Sequence, residues 1–206
     1  MRFNELSLST TEIIDLLYSW IIVSLVFGIV MTDSFSVAKL LNSITISLLT
    51  AGLGLIGHEC AHKYVAQRYG CKAQYQANKT MLHLSLLLSF AGVLFLAPGA
   101  VIIKNIREYD VRNGKIASAG PSANLLLSLV FVLLGSLLVS VYAIETRSVL
   151  YHIVSFGARI NAYIALFNLL PISIIDGKKI LSYSKKQYAL LVVSGVILVI
   201  TSASLF

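Results

Sequence analysis

Gly57-His58-Glu59-Cys60-Ala61-His62 stands at the end of a long apolar run and carries nearly all the polar chemistry that run contains. Residues four apart on a helix share a face, so His58 and His62 can offer two imidazoles to one metal ion while Glu59 stands one step round the turn. Two neutral imidazoles suit Zn²⁺, and with a third protein ligand one coordination position stays open, where water has its pKa lowered to about 7. Glu59 is then the base that takes the water's proton. The same letters also describe two packed histidines and a surface carboxylate near a helix end. The setting weighs against that alternative, because ionisable groups in or beside a membrane segment are costly and are functional by default.

That setting follows from composition. Of 206 residues, 57% are hydrophobic and 12% charged, and the mean hydropathy is +0.85, far from the values of a soluble domain. A helix needs roughly 20 apolar residues to cross a bilayer, and runs at 13–31, 40–61, 124–144 and 187–206 qualify. A fifth run, 150–171, is interrupted by His152, Arg159 and Asn161, so it is expected to face protein or water rather than lipid. Acidic Glu5, Glu12 and Asp15 surround the first run and no small-residue cleavage site ends it, so it reads as a retained helix rather than a signal peptide. The expectation is an all-α polytopic membrane protein forming a single domain over 1–206, with about five to six transmembrane helices.

Several other signals are weaker. The net charge of +7 is what insertion rules and anionic lipid predict for loops of a membrane protein, so no nucleic-acid partner is expected. Cys60 and Cys71 lack zinc-ligand spacing and read as reduced thiols. Residues 52–57 match GxGxxG, but no strand precedes them, so their small side chains read as a close-packing face for a neighbouring helix. Asn78-Lys79-Thr80 is a formal glycosylation sequon that the topology places on the unglycosylated, cytoplasmic side.

Topology turns on the apolar stretch 81–103, broken by Gly92 and by Pro98-Gly99. If it spans, six basic residues lie inside and nine outside, against the positive-inside rule. If it dips in and returns, thirteen lie inside and two outside, with Arg159 left within the membrane. The re-entrant arrangement therefore follows. It also brings Asp176, a lone carboxylate after the fifth run, to the same side as His62, so that His58, His62 and Asp176 can close three corners of a tetrahedron around one zinc per chain. Residues 71–78, with Gln74, Tyr75 and Gln76, are expected to include an extended strand beside the site, to which an unwound substrate segment could add.

With these motifs assembled, the chain resembles the site-2 protease family, the intramembrane zinc metallopeptidases of peptidase family M50. The resemblance rests on His58 to His62 late in one membrane helix, Gly120-Pro121 opening the next core helix, and Asn168-Leu169-Leu170-Pro171 with Asp176-Gly177 closing the third. It implies that His58, His62 and Asp176 bind zinc, that Glu59 is the catalytic acid and base, and that Asn168 holds the substrate carbonyl or its oxyanion. It also implies transmembrane protein substrates, a multi-pass location in the cell membrane and an active site toward the cytoplasm. Cys60-Ala61 and Lys178-Lys179 stand where relatives commonly carry Leu-Gly and Gly-Arg, and no PDZ or CBS domain fits in 206 residues. Two other functions use the same residues: a catalytically inactive scaffold on this fold, and a metal-ion transporter with His58, His62 and Asp176 as a transit site. His83 and His152 are expected to be structural, and Arg159 and Asn161 to line an entry path or to pair within the bundle.

Overall fold

The structure, a computed structural model, describes residues 6–34, 36–104, 111–142, 145–146, 148–172 and 174–206. Helix α1 (Thr10–Val30) starts at a capping box, in which the Ser9 side chain accepts from the Glu12 amide while the Glu12 carboxylate accepts from the Ser9 amide. After a short polar turn, α2 (Val37–Ser47) and α3 (Leu53–Arg68) join through one π-helical turn, Leu48–Gly52, into a single 32-residue helix. Next come strand β1 (Lys72–Ala77), α4 (Lys79–Ser89) capped by Asn78, and strand β2 (Gly99–Lys104). The chain ends in α5 (Val111–Tyr142), α6 (Val149–Asn168), the short α7 (Asp176–Tyr183) and α8 (Lys185–Leu205).

Five of these helical stretches are long and apolar enough to cross a membrane: α1, the α2–α3 helix, α5, α6 and α8. Together they make the all-α polytopic membrane protein expected. The 81–103 stretch is not a sixth span. At 11 residues, α4 is only about 16 Å long. The strands on either side of it pair antiparallel, from Lys72 opposite Lys104 to Ala77 opposite Gly99, so the chain returns to where it left.

Two boundaries differ from expectation. Helix α5 begins ten residues before Pro121, so Gly120-Pro121 lies inside it rather than opening it. A proline there removes one backbone donor, a loss that a helix buried among other helices can re-satisfy. The metal-bearing helix runs on to Arg68, past the expected end at residue 61.

The GxGxxG segment packs as expected, and more closely than its letters suggest. A Cβ at Gly52 would collide with Trp20 and Ser24 of α1, and one at Gly54 with Asn161 of α6. The Trp20 indole donates to the Leu48 carbonyl, 2.9 Å away, in the π turn, supplying a partner where the helical ladder is displaced. Around this crossing lies an apolar cluster of Val23, Phe27, Ala51, Leu55, Leu82 and Ile160. It holds α1, α3, α4 and α6 against one another.

Candidate metal centre

His58, Glu59 and His62 are all buried, at 5%, 7% and 8% exposure, on the side of α3 that packs against α5. Asp176, the first residue of α7, approaches from the far end of the sequence. The close return is possible because position 177 is glycine: a Cβ there would strike the Leu169 and Leu170 carbonyls. The result is a triangle, with His58 Nε2 and His62 Nε2 3.0 Å apart and Asp176 Oδ2 at 3.4 Å from the first and 3.0 Å from the second.

These separations fit zinc. Ligand bonds of about 2.0–2.1 Å in tetrahedral geometry put donor atoms about 3.3 Å apart. Among the described residues His58, His62 and Asp176 are the group able to hold a metal ion. Position 120 adds to the fit, since a Cβ on Gly120 would press into both Nε2 atoms, so the helix facing the ligands is kept bare there.

The outer ring nitrogens are also fixed. Asn124 Nδ2 donates to the Gly54 carbonyl and to Asn161 Oδ1, each at 3.0 Å. Its Oδ1 is thereby left to accept from His58 Nδ1 at 2.7 Å. Asn161 Nδ2 in turn donates to the Gly157 carbonyl. His62 Nδ1 donates to the Ile116 carbonyl, 2.8 Å away. Both imidazoles are therefore held in the tautomer with an unprotonated Nε2 turned toward Asp176, the arrangement that orients histidine ligands at metal sites. Sequence reasoning gave Asn124 no role. The available signal was an amide side chain inside an apolar span, four residues after Gly120.

A cavity of about 160 Å³ opens beside the triangle. Glu59, Asn168, Lys179 and the β2 residues Gly99, Ala100, Val101 and Ile103 are among those lining it. Val101 and Glu59 both line it, which brings the outer edge of β2 next to the Glu59 carboxyl. Asn168 is present, but its Nδ2 donates to the Ile164 carbonyl of its own helix, 2.9 Å away, so it must rotate to serve any other acceptor. The expected strand exists as β1, yet β1 does not border the cavity. Its outward amides at Tyr75 and Ala77 bond to Glu12 and Asp15 of α1, and β2 lies between it and the site.

The remaining candidates separate. His83 pairs with Tyr18, joining α4 to α1, and Cys60 and Cys71 are free thiols. Asn161 is fully buried, as a span facing protein requires. The half-buried Arg159 and the exposed His152 lie on the opposite side of α6.

No protein-family model and no solved structure matches the chain. Among curated proteins, "Putative zinc metalloprotease MJ0611" of Methanocaldococcus jannaschii is 37% identical over 183 residues, covering 88% of this chain and 89% of that protein. The chain belongs to this zinc metalloprotease family. "Putative zinc metalloprotease Rip3" of Mycobacterium tuberculosis is 28% identical over 164 residues, which are 80% of this chain and 36% of that longer protein. Zinc is accordingly the metal the family implies, and His58, His62 and Asp176 form a group that could hold it.

Proposed function

We propose that the protein is an intramembrane protease of the site-2 type, a member of peptidase family M50, that hydrolyses peptide bonds in or near transmembrane segments of other membrane proteins. One observation carries this reading: His58, His62 and Asp176, a group able to hold a metal ion, meet Glu59 at a cavity, with both histidines and Glu59 on a helix long and apolar enough to cross a membrane. The count of basic residues in the loops supports a multi-pass place in the cell membrane with the site toward the cytoplasm.

Roles follow from position. His58 Nε2, His62 Nε2 and Asp176 Oδ2 would hold the ion, with Asn124 and the Ile116 carbonyl orienting the rings. Zinc in that place supplies a Lewis acid for the scissile carbonyl and lowers the pKa of a water. Glu59 takes a proton from the attacking water and delivers it to the leaving amine. Asn168, once its amide leaves the Ile164 carbonyl, donates to the oxyanion.

A peptide bond in a helix is shielded by its own hydrogen bonding, so a transmembrane substrate must unwind locally before attack. Among the described residues the sheet has two strands, and the outer edge of β2 faces the cavity. The unwound segment would add along that edge.

The test compares wild-type protein with Glu59→Gln on tagged single-span substrates in detergent or vesicles. Loss of about 10²-fold or more in rate, the scale of acid and base catalysis, with zinc retained, is expected. Cleavage by Glu59→Gln at the parental rate would remove the assignment.

A further inference from the structure

We propose that the outward face of α6 is a docking strip for a transmembrane helix bearing a carboxylate near mid-depth, with Arg159 as the matching charge. The proposal rests on the intramembrane protease reading and names the substrate feature that such a site would select.

The observation is an unsatisfied guanidinium inside a spanning helix. Arg159 Nε is buried without a hydrogen-bond partner, and among the described residues no hydrogen bond or ion pair reaches the rest of the group. Arginine does not shed its proton in a protein, and an unpaired charge at this depth is costly. Arg159 sits nine residues before the Asn168 end of α6 and ten after its Val149 start, about 14 Å of helix in either direction. The middle of the helix is where an arginine stem is farthest from either headgroup layer.

The face is defined by its neighbours. His152, Tyr163 and Phe167 stand seven residues before, four after and eight after Arg159, on one side of the helix. Tyr163 is 53% exposed and Phe167 58%. On the other side Ala158, Asn161, Ala162 and Ala165 are completely buried. Arg159 thus lies half-buried at the edge of the exposed side, with its Nε enclosed and the rings of Tyr163 and Phe167 beside it on the same face.

Among the described residues no acid is placed to meet this position. Glu12 is taken by Lys63 and Asp15 by the Ala77 amide, while Glu59 and Asp176 belong to the metal centre. Asp33 and Glu145 lie outside the spanning helices, and Glu5, Glu108 and Asp110 lie outside the described residues. A second copy of the chain would bring the same described acids, and the proposal therefore takes the carboxylate from a different polypeptide.

The strip also leads to the site. Asn168, at the end of α6, lines the cavity, about 13 Å along the helix from Arg159. A substrate helix whose carboxylate meets Arg159 reaches the cavity nine residues further on if it stays helical, or about four if the stretch between is extended at roughly 3.3 Å per residue. The carboxylate is expected within that window from the cleaved bond.

The experiment uses zinc-loaded Glu59→Gln protein in nanodiscs and labelled Leu/Ala single-span peptides carrying Asp, Asn or Lys at mid-span. Expected is at least tenfold tighter binding of the Asp peptide than of the Asn peptide, abolished by Arg159→Leu and shifted toward the Lys peptide by Arg159→Glu. Equal binding of the Asp and Asn peptides, an Asp preference that survives Arg159→Leu, or a preference that follows anionic lipid content rather than the peptide carboxylate would overturn the proposal. Binding is read without cleavage, so the two ideas fail separately. If the parental enzyme cuts all three peptides equally, docking fails while the protease stands. If binding depends on the carboxylate and the parental enzyme cuts nothing, the protease fails instead.

Discussion

Strands β1 and β2 belong to one ribbon, yet their outer edges meet different surroundings. The edge of β1 is consumed by α1: Glu12 accepts from the Tyr75 amide and Asp15 from the Ala77 amide. Glu12 also pairs with Lys63, which in turn donates to the Ala73 carbonyl. Both Glu12 and Lys63 are 3% exposed. Lys63 adjoins His62, so this network fastens the ribbon to the metal-bearing helix. The edge of β2 instead looks into the cavity beside Glu59 and Asn168. One strand therefore serves as an anchor, which leaves the other available for chemistry.

The largest way to break this contrast is Glu12→Gln, which leaves the Lys63 ammonium buried without its counter-charge. Removing one partner of a buried ion pair costs about 3–5 kcal/mol, so the thermal midpoint in detergent should fall well below that of the parent. Replacing both partners by Leu and Met should recover most of the loss. An unchanged midpoint for Glu12→Gln would mean that the pair does not anchor the ribbon.

A smaller effect is expected at the anchored side of the metal. Asn124→Ala removes the acceptor that fixes the His58 tautomer, and loss of such a partner weakens metal binding about 10–100-fold. Competition with a zinc chelator measures it, and parental affinity in Asn124→Ala would argue that the amide chain only packs.

The smallest effects sharpen the contrast most, because one change is made on each edge. Proline fits an edge strand when its missing N–H points outward. At Ala77 it deletes the bond to Asp15, at a cost of about 1.5 kcal/mol, the low end for hydrogen bonds to charged groups, with little change in cleavage rate. At Val101 it should leave the unfolding midpoint in place and slow cleavage about tenfold, the equivalent of about 1.4 kcal/mol. Interchanged outcomes would reverse the roles of the two strands.

Much of the metal centre was legible because its signals are local. The spacing of His58 and His62 follows from helical periodicity, and the side on which Asp176 emerges follows from loop charge. The return of the 81–103 stretch was legible for the same reason, as basic residues flank it at both ends. What escaped depends on contacts between distant segments. The π turn at Leu48–Gly52 exists where Trp20 of another helix reaches the Leu48 carbonyl, and no pattern within residues 48–52 announces that. The start of α5 was hidden because Arg112 and Lys115 read as loop residues, although basic side chains sit readily on a helix that has left the apolar layer. Which strand would border the cavity was also beyond the sequence, since the docking of α1 onto the β1 edge decides it.

The central claim is that His58, His62 and Asp176 together hold a single zinc ion. Zinc-edge X-ray absorption on purified Glu59→Gln protein, with metal content measured on the same sample, tests it most directly. Expected are one zinc per chain, two imidazole nitrogens at about 2.0–2.1 Å with oxygen completing the shell, and loss of the metal in His62→Ala and Asp176→Ala. A sulfur ligand at about 2.3 Å, or full zinc retention in Asp176→Ala, would contradict it.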